Sequence, residues 1–100
     1  MKKLIMLAVL VTLNASAYTS TGNPMANGEY PHVGACAVDK INGVYAKFGT
    51  RIILPDGKVL VVKDRFGGSK NNCLDIFLPT EAECWQFGRQ WLKCKVEVAE

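Results

Sequence analysis

Three aspartates stand at the end of, or inside, short apolar runs, where a carboxyl group can do acid–base chemistry. Asp39 ends the run ACAVD, Asp64 ends VLVVKD, and Asp75 lies eleven residues further on, inside LDIFL. A carboxylate held by a strand has a fixed position beside any cleft that the adjoining loop borders. Asp75 is the hardest to explain structurally, because a charge among apolar neighbours costs free energy unless it is paired or functional. Structural roles stay open for the other two: Asp39 can cap a turn, and Asp64 can anchor a loop.

Two neighbouring carboxyl groups suit general acid–base catalysis when one of them stays protonated near neutral pH. Burial and a nearby like charge both raise the pKa of an acid. Asp64 and Asp75 are candidates for such a pair if the fold brings their strand ends together. Other chemistries lack residues, since His32 is the only histidine and no two cysteines have a zinc-ligand spacing. We expect no metal and no cofactor.

Residues 1–17 have the pattern of a secretory signal peptide. Lys2 and Lys3 form a positive start, an apolar run interrupted only by Thr12 follows, and Ala15-Ser16-Ala17 fits the small-x-small cleavage rule. The run is shorter than the roughly 20 apolar residues of a membrane-spanning helix. The sequence therefore predicts cleavage after residue 17, a folded domain over residues 18–100, a secreted or periplasmic location, and no membrane attachment after cleavage.

The charge of the chain argues against nucleic acid as a partner. The sequence has 12 Lys and Arg and 9 Asp and Glu; Lys2 and Lys3 would leave with the signal, so the net charge would fall from +3 to +1. Binding to phosphate needs clustered basic residues, and no such cluster exists.

Four cysteines fall in the predicted mature chain, and an even number in a small exported domain favours disulfides. They are Cys36, Cys73, Cys84 and Cys94. Three pairings are possible, of which we favour Cys73–Cys84 with Cys36–Cys94, because the second bridge would join two strands.

The elements that must position the acids are mostly short strands. Two β-branched runs flank Pro55-Asp56-Gly57, a turn sequence, which predicts a hairpin. Thr80 and Glu83 have capping-box spacing and Gly88 can end a helix, which predicts one short helix over about 80–88. The run WLKCKVEV alternates as a half-buried strand does. Together these patterns predict an all-β domain closed into a barrel.

The order of these motifs resembles a known family. AYTSTGNP, then ACAVD, then GTRIILPDGKVLVVKDRFGG, then NNCLDIF, and finally FGR after the helix arrive in the sequence of the three-aspartate or 3D domain. The resemblance implies a six-stranded double-psi β-barrel related to the catalytic barrel of the MltA-type lytic transglycosylases. The three aspartates of the family would be Asp39, Asp64 and Asp75.

The same resemblance implies an activity on the glycan strands of peptidoglycan. Asp75 matches the single catalytic acid, which would protonate the glycosidic oxygen between N-acetylmuramic acid and N-acetylglucosamine and then deprotonate the muramyl 6-hydroxyl, leaving a 1,6-anhydromuramyl end. Asp64 would support it, and Asp39 completes the expected catalytic set. We expect substrate contacts from loop residues around these acids: Thr21, Tyr30, Arg65, Gly67 and Lys70.

Two alternatives remain open at this stage. The first is hydrolysis, in which Asp64 would be the second carboxylate beside Asp75 and would act as the base that activates water. A non-catalytic wall-binding or remodelling module is the other, because expansin-like barrels bind polysaccharide with little cleavage and a fold does not fix a function. The expected assembly is a monomer, or a weak dimer that would supply a missing cleft wall.

Overall fold

The computed structural model describes residues 8–98, which form eight strands and one helix. In chain order these are β1 (Ala8–Tyr18), β2 (Ala35–Ala37), β3 (Lys40–Ile41), β4 (Val44–Tyr45), β5 (Arg51–Ile53), β6 (Val59–Asp64), β7 (Cys73–Phe77), α1 (Glu81–Phe87) and β8 (Gln90–Glu97). The one helix within residues 8–98 lacks the length and apolar character needed to cross a bilayer.

Six of the strands close into a barrel in the order β1-β7-β2-β6-β5-β8, and β3 and β4 form a separate small hairpin. The prediction of a small all-β barrel with six strands and one short helix is confirmed. Most neighbouring strands are antiparallel, but β1 runs parallel to β7 and β2 runs parallel to β6. Closure gives every barrel strand a hydrogen-bonded neighbour on each side, which reduces the aggregation hazard of open sheet edges.

Alternate residues of each strand fill the barrel. On β1 the side chains of Val11, Leu13 and Ala15 are buried in the core, and those between them face outward. The other strands follow the same period of two, so the core is a compact set of mostly branched aliphatic side chains: Val38, Ile52, Leu60, Val62, Leu74, Ile76 and Val96.

The segments that carry local turn and helix-cap signals fold as the sequence predicts. β5 and β6 form the hairpin around Pro55-Asp56-Gly57. Thr80 is the N-cap of α1 and its hydroxyl accepts a hydrogen bond from the Glu83 amide, while Gly88 follows the helix with a φ of 62°. The sequence analysis missed the β3–β4 hairpin, although Asn42-Gly43, with φ of 50° and 82°, is a strong two-residue turn signal.

The N-terminal strand differs from the sequence-based expectation that the domain starts at residue 18. Residues 8–17 are ten of the eleven residues of β1, which pairs with both β7 and β8 inside the closed barrel. An apolar run before small residues fits a signal peptide and a buried strand equally well, and the pattern alone cannot distinguish them. Cleavage after residue 17 stays a prediction, but it would remove a barrel strand.

The predicted disulfides are absent from the described chain, where all four cysteines are free thiols. Cys36 and Cys94 are fully buried in the core, where they pack as small apolar side chains. They belong to β2 and β8, which are not neighbours in the barrel. Cys73 starts β7, and Cys84 lies on α1. Neither of the two expected bridges, Cys73–Cys84 and Cys36–Cys94, is formed in the described chain.

Candidate active site

A row of residues crosses four strands on the outer face of the barrel and brings two of the three aspartates together. Ala37 on β2 is in register with Asp64 on β6 and with Asp75 on β7. Asp75 is in turn in register with Ser16 on β1. Neighbouring strands lie about 4.8 Å apart, so the Cα atoms of the two acids are roughly 10 Å apart, with only a methyl group between them.

An irregularity in the sheet turns Asp64 toward this row. Cys36 faces Val62, but the next residue, Ala37, faces Asp64, so Lys63 is an extra residue in β6. Because side chains alternate between faces, a regular ladder would place Lys63 beside Ala37 and direct Asp64 to the opposite face. The bulge therefore exchanges a lysine for an acid at this position, as bulges near functional sites commonly re-aim a side chain.

The carboxyl group of Asp75 is half-buried and, among residues 8–98, accepts one hydrogen bond. Ser16 Oγ donates to its Oδ1 at 3.0 Å. Burial raises the pKa of Asp75 above its usual value; the Ser16 hydrogen bond and the charge of Arg89 act in the opposite direction, and the charge of Asp64 raises it again. Asp75 thus keeps its proton to a higher pH than an exposed aspartate, which is what a general acid requires.

Asp64 is oriented by the loop that covers the site. Its Oδ1 accepts hydrogen bonds from the backbone amides of Ala26 at 2.9 Å and of Arg65 at 2.8 Å. Its Oδ2 meets no hydrogen-bond donor among residues 8–98. One oxygen therefore fixes the side chain while the other is available to a ligand.

Asp39 lies beneath the loop between β6 and β7 rather than in the cleft. It is 1% exposed. Its two oxygens accept hydrogen bonds from the amides of Phe66 and Lys70, each at 2.9 Å. This geometry makes Asp39 an anchor for the loop that carries Arg65, and both of its oxygens are occupied.

A cleft of about 250 Å³ opens over Asp64 and Asp75. Its other lining residues come from the end of β1, from β2 and from the loops that follow β1 and β6: Tyr18, Thr21, Asn23, Pro24, Pro31, Ala37, Arg65 and Phe66. A larger cavity of about 430 Å³ lies elsewhere, between the β5–β6 hairpin and α1. Its walls are mainly apolar and include none of the three aspartates, so the smaller cleft is the one that suits acid–base chemistry.

The five predicted substrate contacts divide between the cleft and its surroundings. Thr21 and Arg65 line the cleft, and Tyr30, Gly67 and Lys70 do not. The Arg65 guanidinium donates to the Val38 carbonyl at 2.7 Å and stacks 4.4 Å from the centroid of the Phe48 ring. These contacts hold the cation at the cleft edge. Tyr30 is 67% exposed, and the Lys70 amide serves Asp39.

Three site residues escaped the sequence analysis: Ser16, Tyr18 and Arg89. The first was assigned to a signal peptide, and the second was taken as the start of the mature chain. Arg89 follows α1 and influences Asp75 by its charge. A usable signal was present, because Ser16 and Tyr18 alternate with Ala15 and Ala17, and alternate residues lie on one face of a strand.

Two tryptophans are largely exposed on the surface of the barrel. Trp85 on α1 is 81% exposed and Trp91 on β8 is 70% exposed. Phe87, at the end of α1, packs against the core instead. Trp91 is in register with Asn14, two residues before Ser16 on the outer face of β1, so it lies on the same face as the acid row.

The site contains carboxylates, hydroxyls and one guanidinium on a small closed β-barrel. Within residues 8–98, no three His, Cys, Asp or Glu side chains are grouped to hold a metal ion. No protein-family model, curated protein or solved structure matches the chain.

Proposed function

We propose that this protein cleaves the β-1,4 bond between N-acetylmuramic acid and N-acetylglucosamine in peptidoglycan, as a lytic transglycosylase of the three-aspartate type. The observation that carries the proposal is the position of Asp75: a half-buried acid with a raised pKa, in a cleft, facing a second carboxylate. The resemblance of the sequence to the 3D domains supplies the substrate class.

Asp75 acts as both acid and base in this mechanism. Its proton passes to the glycosidic oxygen as the bond to the muramyl C1 breaks and positive charge develops on the sugar. The resulting carboxylate then accepts the proton of the muramyl 6-hydroxyl as that oxygen bonds to C1, which closes the 1,6-anhydro ring. No water is consumed, and Asp75 ends protonated for the next cycle.

The neighbouring groups assist this single acid. Ser16 orients the Asp75 carboxyl through its 3.0 Å hydrogen bond. Asp64 supplies a negative charge that favours the protonated form of Asp75 and stabilises the positive sugar. Arg65 stands at the cleft edge, where it suits the lactyl or peptide carboxylates of the polymer. Asp39 positions the loop without touching the substrate.

Hydrolysis is a second candidate function, because the spacing of the two acids is compatible with it. The roughly 10 Å between the Cα atoms leaves room for water between the two carboxyl groups. The unbonded Oδ2 of Asp64 would then serve as the base. Such an enzyme would release reducing ends rather than anhydro ends.

The proposal requires a form of the protein that keeps β1. Peptidoglycan lies outside the cytoplasmic membrane, so the protein must be exported to reach it. Cleavage after residue 17 would remove Ser16 together with most of the strand. The exported active form in this proposal therefore retains residues 8–17.

The test is mass spectrometry of purified peptidoglycan incubated with the full chain and with Asp75→Asn. We expect anhydromuramyl products from the wild type and none from the variant. Asp56→Asn is the matched control, because Asp56 lies in the exposed β5–β6 turn and should not affect cleavage. Products heavier by one water would establish hydrolysis instead. Binding to the wall without any released product would refute both enzyme mechanisms and leave a binding module.

A further inference from the structure

Tyr18 lines the candidate cleft, and its buried hydroxyl has no hydrogen-bond partner among residues 8–98. The residue ends β1 two positions after Ser16, so both side chains lie on the outer face of the strand. Its ring packs edge-on against Phe77, with 5.8 Å between the centroids and 79° between the planes. The phenol oxygen is shielded from solvent and has no partner among residues 8–98. A buried hydroxyl in this condition destabilises the folded state.

Burial, assisted by the two acids of the same cleft, keeps this phenol in its donor form. Burial is the largest cause that raises the pKa of Tyr18 to about 12, and the negative charges of Asp64 and Asp75 raise it further. The hydroxyl is therefore neutral throughout the physiological range and carries a proton to donate. Neither carboxylate is hydrogen-bonded to it, and no acceptor among residues 8–98 serves it, so the hydroxyl has a proton to donate to a bound ligand.

We propose that Tyr18 is a substrate-binding residue whose hydroxyl donates a hydrogen bond to an oxygen of a sugar bound between Asp64 and Asp75. This inference rests on the proposed function for its substrate class, a β-1,4-linked N-acetylhexosamine chain. Sugar hydroxyls, acetamido carbonyls and glycosidic oxygens are all acceptors for a phenol. Because the Tyr18 oxygen is shielded, the sugar must displace covering atoms at the cleft floor to reach it.

Thr50 provides a matched control for this idea. Its hydroxyl is also buried and without a partner among the described residues. It lines a different cavity, together with Ile41 and Val96, and lies outside the acid-lined cleft. Removing either hydroxyl relieves the same kind of unsatisfied polar group, but only Tyr18 is placed to meet a ligand.

The experiment compares Tyr18→Phe and Thr50→Val, each in the full chain carrying Asp75→Asn so that the ligand is not cleaved. Thermal unfolding should show a higher Tm for both variants than for their Asp75→Asn parent. Calorimetric titration with chitotetraose, a β-1,4-linked N-acetylglucosamine tetramer, should show about tenfold weaker binding for Tyr18→Phe, the loss of one hydrogen bond. Thr50→Val should bind as the parent does.

The outcomes separate this proposal from the proposed function. Equal affinity of Tyr18→Phe and the parent would overturn the role of Tyr18, and so would a lower Tm for Tyr18→Phe, because the hydroxyl would then have a partner within the fold. Absence of chitotetraose binding by the parent would also overturn it. Binding that depends on Tyr18, with no cleavage of peptidoglycan by the wild type, would support the sugar contact and refute only the catalytic function.

Discussion

The acidity of Asp75 depends on four influences that act in two directions. Burial raises its pKa, the hydrogen bond from Ser16 and the charge of Arg89 lower it, and the charge of Asp64 raises it. In the proposed mechanism only the protonated form starts the reaction, so activity falls as the pH rises through this raised pKa. The upper pH limit of activity therefore reports directly on the surroundings of one carboxyl group.

Ser16→Ala removes an influence that lowers the pKa of Asp75, so that pKa should rise further. The protonated form then persists to higher pH, and the alkaline limb of the kcat/KM profile should move to higher pH. Cleavage of soluble glycan strands, measured from about pH 3 to 9, checks this. Ser20→Ala is the control, because Ser20 is exposed and should leave the limb in place. A limb that moves to lower pH would contradict the proposed role of Ser16.

At the scale of elements, two irregular features hold Asp64 and Arg65 at the cleft, where regular strands would not place them. The extra residue Lys63 in β6 puts Asp64 beside Ala37. The loop from Arg65 to Asn72 then crosses to β7, tied down where its Phe66 and Lys70 amides donate to Asp39. The bulge and the anchored loop together hold Asp64 and Arg65 at the cleft.

Asp39→Asn should loosen this loop. The amide side chain offers one acceptor oxygen where two are used, and its NH₂ group would face an N–H of the loop. We expect a loss of about 1–3 kcal/mol in the free energy of unfolding, measured by urea denaturation. Hydrogen exchange at the Phe66 and Lys70 amides should accelerate. Asp56→Asn in the exposed turn should change stability by no more than about 0.5 kcal/mol. Unchanged exchange at both amides would show that the carboxylate does not anchor the loop.

At the scale of the whole molecule, β1 closes the barrel. It pairs in parallel with β7 and antiparallel with β8, and it contributes three core side chains: Val11, Leu13 and Ala15. Burial of the valine and leucine alone is worth about 3–6 kcal/mol. That range is comparable with the total stability of a small domain, about 5–15 kcal/mol.

A protein consisting of residues 18–100 should therefore fail to fold cooperatively. Its β7 and β8 would have open edges, and the core would lose one side. Circular dichroism during thermal unfolding should show a sharp transition for residues 8–100 and none for residues 18–100. A stable, cooperative fragment 18–100 would contradict the placement of β1 and would support the predicted cleavage after residue 17.

The sequence predicted the elements that depend on near neighbours. The turn at Pro55-Asp56-Gly57 and the caps Thr80 and Gly88 are local signals, and both were read correctly. The pairing of Asp64 with Asp75 was anticipated as a possibility only, because it depends on a register shift between β2 and β6 that no local pattern reveals. The composition of β1 fits both a signal peptide and a barrel strand. Only its pairing partners, more than 50 residues away, distinguish the two.

The pairing of β1 with β8 also determines when the barrel can fold during synthesis of the chain. Ala8 is in register with Glu97, so β1 cannot complete its pairing until β8, about 80 residues later in synthesis, has left the ribosome. Until then the apolar side of β1 has no partner and is available to chaperones. Proteins dominated by such distant pairings fold slowly for their size. The barrel should accordingly close only after β8 has left the ribosome.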